Sequence, residues 1–102
     1  MKLPLIACSL SADGQKRRLS EWAELLGQAS SGQEVEGGMR YVFPPFSELA
    51  DRVRTLASAE QRCCPFLDFT VQDDADRVLM TVIAPPEGQD ALHFVFAAAA
   101  RR

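Results

Sequence analysis

The stretch Glu60-Gln61-Arg62-Cys63-Cys64-Pro65-Phe66 decides how this chain is read, because a helical pattern ends inside it and an extended pattern starts after it. Upstream, residues 45–64 follow the helical period. With Leu49 as reference and about 100° per residue, Val53 and Leu56 fall within about 40° of one line. Glu60 lies about 20° from that line, and Cys63 and Cys64 about 40° and 60° to either side of it. A carboxylate on an apolar stripe needs a partner or gives up its charge. Glu60 also stands one turn before both thiols, where it would be a ligand, or the neighbour of ligands, for anything they bind. Pro65 disfavours the αR region for the residue before it, so Cys64 is expected to leave the helix in an extended conformation. That exit can swing the two thiols to one side. A disulfide between them would be strained, since adjacent Cα atoms are about 3.8 Å apart against a usual range of about 4.4–6.8 Å. The negative end of the helix dipole opposes a bare thiolate nucleophile, whereas a soft cation deprotonates its thiol ligand outright. The position therefore suits ligation better than nucleophilic catalysis.

The 102 residues suit one domain, 1–102, with a single modest core. Apolar content and mixed charge are those of a soluble globular protein. A net charge of −3 removes the electrostatic case for direct nucleic-acid binding. The apolar run at residues 3–7 is short and interrupted by Pro4, too short for a signal-peptide core or a membrane span. The expected compartment is the cytoplasm, where thiols stay reduced. The three cysteines, Cys8, Cys63 and Cys64, close no disulfide framework.

Working outward, residues 3–10 read as a strand with Cys8 near its end. Ser11 is the expected N-cap of a helix reaching about residue 29, with Leu19, Trp22, Ala23 and Leu26 as its buried stripe. Lys16, Arg17 and Arg18 read as a solvated face. Residues 34–43 read as a strand whose Gly37-Gly38 pair marks either a bulge or a tight hairpin turn; Met39, Tyr41 and Phe43 share its buried face. Beyond the cysteines, strands at 66–72 and 77–84 flank the turn Asp73-Asp74-Ala75-Asp76, which lacks the spacing of a calcium loop. The second of these strands is apolar on both faces, as a central strand is. A last helix is expected over 87–100, with Leu92, Val95, Phe96 and Ala99 inward and His93 beside them. The expected class is α+β: a mostly antiparallel sheet of about four strands with three helices packed on it, in the order β-α-β-α-β-β-α.

Three runs, Ile6-Ala7-Cys8-Ser9-Leu10, Arg18-Leu19-Ser20-Glu21-Trp22 and Glu60 through Phe66, resemble a small bacterial domain that occurs alone and also the C-terminal extension of some MerR-type, heavy-metal-responsive regulators. The likeness covers nearly the whole chain; its signature is one upstream Cys plus a distal Glu-x-x-Cys-Cys. It implies an association with mercury-like or other thiophilic metal stress. The chain has no room for the helix-turn-helix of those regulators, so a transcriptional role would need a regulator partner.

Three functional readings follow. The first is a soft-metal or metalloid site built from Cys8, Cys63 and Cys64, with Glu60 or water as a fourth ligand, for Hg(II), As(III), Cd(II), Cu(I) or Zn(II). The second is a thiol enzyme, redox or organometal-cleaving, with Glu60 as proton donor or base. The third is an interaction or dimerisation module whose cysteines are small buried hydrophobes. The first requires Cys8 sulfur to meet the vicinal pair.

Overall fold

The computed structural model describes residues 12–64 and 66–97. The strand expected at 3–10, the cap Ser11, Cys8 and the inward Ala99 lie outside the described residues. Two helices and four strands make up the body: α1 (Ala12–Leu26), β1 (Ser31–Val35), β2 (Gly38–Phe43), α2 (Ser47–Cys63), β3 (Asp68–Asp73) and β4 (Val78–Ile83). The strands form one antiparallel sheet in the order β1-β2-β4-β3. The class is α+β.

The alternation in β2 and β4 sets the core. Met39, Tyr41 and Phe43 on β2 and Val78, Met80 and Val82 on β4 are buried on one face. The two strands pair Met39 with Val82, Tyr41 with Met80 and Phe43 with Val78, so this face is a continuous apolar floor. β4 is a central strand, as its two apolar faces imply. Leu79 and Thr81 on its other face are half-buried, and Ile83 is exposed.

The Gly37-Gly38 pair is a hairpin turn. Gly37 has φ +82°, a left-handed conformation that glycine adopts without a Cβ penalty. At Gly38 a Cβ would stand 1.8 Å from the Val82 carbonyl oxygen, so only glycine lets β2 approach β4 there. The Asp73–Asp76 turn is the solvated one expected: Asp74 Oδ1 accepts from the backbone N–H of Asp76 (2.9 Å) and Arg77 (3.1 Å).

α2 buries Leu49, Ala50, Val53, Ala57 and Glu60 against the core, with Leu56 half-buried beside them. Cys64 ends it with φ −127° and ψ 83°, outside the helical region as the following proline dictates. Gln61 then starts the edge strand: its side-chain amide donates to the Leu67 carbonyl, and its Oε1 accepts from Phe69 N–H at 2.9 Å. On α1 the buried residues among the described side chains are Trp22, Leu25 and Leu26. Leu19 and Ala23 are only half-buried, so the stripe is rotated from the expected one.

Two expectations about architecture are corrected. Among the described residues there are two full α-helices, not three. Residues 86–97 wind as a 3-10 turn (Pro86–Gly88), one α-turn (Gln89–Leu92) and a π-turn (His93–Ala97). Gly88, a poor helix former, sits between the first two windings. Tertiary bonds hold the segment instead. Gln89 Nε2 donates to the carbonyls of Gly37 (2.9 Å) and Ala84 (2.7 Å), and the Tyr41 hydroxyl donates to the Phe96 carbonyl (3.2 Å). The order β-α-β-α-β-β-α is also replaced, because residues 31–43 form a two-stranded hairpin where that order has one strand.

Candidate functional site

Glu60 reaches the sheet-facing side of α2 because the helical period puts it there, and it is 3 % exposed. Two donors from α1 meet it. Trp22 Nε1 donates to Glu60 Oε1 at 2.9 Å, and Arg18 Nη1 donates to the same oxygen at 3.0 Å. Arg18 and Trp22 are four residues apart, so one face of α1 delivers both. Trp22 is fixed in turn by aromatic packing, stacked with Phe69 at 5.8 Å and edge-on to Phe96 at 4.9 Å.

The other end of the Arg18 guanidinium faces Cys63. Its Nη2 lies 4.0 Å from Cys63 Sγ, and its Nε 3.6 Å from Glu21 Oε1. Burial works against the charge of Arg18, yet its pKa is raised above the ordinary value, because the hydrogen bond and charge of Glu60 and the sulfur of Cys63 outweigh that cost. Cys63 is half-buried and Cys64 buried. The arrangement is a carboxylate clamping a guanidinium, and the guanidinium held against a thiol. It can stabilise negative charge at Cys63 sulfur and keep that sulfur in one place.

Of the four residues singled out for metal, Glu60 and Cys63 lie in the last turn of α2 and Cys64 caps it. Cys8 lies outside the described residues. Among the described residues no three His, Cys, Asp and Glu side chains converge on one metal position. His93 is exposed, with Nδ1 2.9 Å from the Gln89 carbonyl, away from these groups in role. Arg18 is the residue that the sequence pattern misses. The pattern assigns it to a solvated face, but its side chain is only 16 % exposed. A signal for it exists: an acid on an apolar stripe demands a cation, and Arg18 is the basic residue one turn from the buried Trp22.

Comparison with known proteins yields no match to a family model, a curated protein or a solved structure. No helix among the described residues is long and apolar enough to cross a membrane.

Proposed function

We propose that this domain binds a soft metal or metalloid ion through the thiolates of Cys63, Cys64 and Cys8, in a sensing or sequestering role linked to thiophilic metal stress. The supporting observation is the charge arrangement around Arg18. One guanidinium faces two carboxylates, Glu60 and Glu21, and the sulfur of Cys63. With Cys63 as a thiolate, negative charge is in excess there, and a bound soft cation balances it. Glu60 serves this site by holding Arg18. Its Oε1 already accepts two hydrogen bonds, so its part is orientation of the neighbouring guanidinium. The same commitment weakens the thiol-enzyme alternative, which asks Glu60 to move a proton. A regulator or a second copy of the chain is the protein partner this role implies, through the resemblance to the MerR-type extension.

Native mass spectrometry of a titration with Hg(II) and with As(III) tests the reading. The wild type takes up one ion, which protects all three thiols from alkylation, and Cys63→Ser and Cys8→Ser lose that tight uptake. Unchanged stoichiometry in both variants ends the proposal.

A further inference from the structure

Between α1 and α2 runs a groove of about 430 Å³, within the size range of small-molecule sites. Its walls carry both signs of charge, Arg18 and Arg52 against Glu21 and Asp51, over a floor of Leu56 and Ala59. Arg52 is bound only loosely within the chain: its Nη2 lies 3.7 Å from Glu24, and both side chains are largely exposed. Such a pair is worth little, so the guanidinium is available to a ligand. The groove also points at the thiol. Leu56 and Ala59 lie about 20° and 40° to either side of Cys63 on one face of α2, and Cys63 is one turn, about 6 Å, beyond Ala59. Arg18 joins the two places, lining the groove while its Nη2 stands 4.0 Å from Cys63 Sγ.

We infer that this groove seats a small zwitterionic thiol, a peptide-sized molecule with carboxylate and ammonium groups, and presents its sulfur to Cys63. The inference rests on Cys63 being the soft-metal thiolate proposed above, and names the carrier from which it takes the ion. Cations and anions lining one groove suit a ligand that itself carries both charges. From Thr55 to Cys63 is about 12 Å of helix, close to the span of three extended residues. In the exchange the metal–sulfur bond to the carrier breaks as a metal–sulfur bond to Cys63 forms. The metal keeps its oxidation state; the Cys63 thiolate enters as a ligand, the carrier leaves as a thiolate, and that departing thiolate takes its proton from water.

Two measurements on the full chain test it. S-methylglutathione, which has the charges but no thiol, binds saturably by calorimetry or NMR shifts, and Arg52→Ala weakens it about tenfold, the worth of one hydrogen bond to a charged group. Disulfide probes then report on the thiol itself. Cys63 thiolate attacks one sulfur, forming a mixed disulfide and releasing one thiolate that water protonates, and fragment-ion mass spectrometry of the 63–77 tryptic peptide tells Cys63 from Cys64 as its site. Oxidised glutathione reacts faster than uncharged hydroxyethyl disulfide. The ratio of the two rates falls about tenfold in Arg52→Ala and stays at the wild-type value in Arg40→Ala, whose guanidinium donates to Thr81 on the sheet, away from the groove. No saturable binding of S-methylglutathione, or equal ratios in wild type and Arg52→Ala, overturns the groove. Hydroxyethyl disulfide leaving Cys63 unmodified overturns instead the thiolate on which it rests.

Discussion

Replacing Arg18 by Met isolates what the guanidinium does. Methionine keeps much of the apolar stem that packs along α1 and removes the charge and the fork of donors. Glu60 is then a carboxylate with a side chain 4 % exposed and only the Trp22 N–H left on Oε1. An exposed ion pair is worth about 0–1 kcal/mol, but breaking a buried one costs about 3–5 kcal/mol, because the remaining charge is stranded. Arg18 is 16 % exposed, so the lower end applies, about 3 kcal/mol. A domain of this size has only about 5–15 kcal/mol of stability, and each kcal/mol moves Tm by roughly 4–8 °C, so a fall of more than about 10 °C is expected. Urea and thermal unfolding followed by Trp22 fluorescence measure it, since the indole N–H is part of the same cluster. The second half of the test is a rescue. Arg18→Met combined with Glu60→Gln carries no buried charge, and the introduced amide oxygen would still accept from Trp22, so the double variant is more stable than Arg18→Met alone by about 1–2 kcal/mol. If Arg18→Met unfolds within about 0.5 kcal/mol of wild type, water reaches Glu60 and the clamp does not exist.

Three further outcomes follow from the same geometry. Burial raises the Tyr41 phenol to about 12. A raised folded-state pKa means its contribution is full below the unfolded value of about 10 and is lost as pH climbs toward the folded value, so urea midpoints compared at about pH 9 and 11.5 drop by about 2 kcal/mol in wild type and less in Tyr41→Phe. An equal drop in both removes Tyr41 from the alkaline transition. Gln61→Ala takes away both bonds that open β3, costing about 1–3 kcal/mol, and speeds hydrogen exchange at the Phe69 amide more than at amides of β2; uniform exchange rates would refute its local role. Gly38→Ala drives a Cβ into the Val82 carbonyl and is more damaging than Gly37→Ala, which carries the left-handed penalty of about 1–2 kcal/mol and a 3.2 Å contact with the Ile83 side chain, which can give way; soluble expression and Tm rank the two, and the reverse order would contradict the β2–β4 approach.

The parts of the fold that can be read in advance are those with one strong local signal. The β3–β4 hairpin announces itself by two apolar runs around an acidic turn. The central place of β4 follows from its two apolar faces, and the exit of Cys64 from Pro65. What stays hidden depends on contacts between distant segments. Leu25 is as apolar as Leu19 and the two lie about 60° to either side of Trp22 on the same helix, so only the packing of α1 through Trp22 onto Phe69 and Phe96 decides which is buried. Residues 87–100 have the composition of a helix, but the bonds from Gln89 to the hairpin turn and from Tyr41 to Phe96 set a winding that no local propensity encodes.

Glu60 joins these two kinds of information. Its place on the apolar stripe of α2 is written in the local period, and by itself that place is a conflict, a charge where none is tolerated. The conflict can be resolved only by another element, and α1 supplies Arg18 and Trp22 from one face. A purely structural solution would have been a leucine at 60 and an apolar residue at 18, since replacing buried ion pairs by packed hydrophobes is often stabilising. Keeping the pair makes sense where the guanidinium has a second task. The atom it faces on its other side is Cys63 Sγ, so the cost of burying Glu60 is best understood as the cost of holding a positive charge still beside that sulfur.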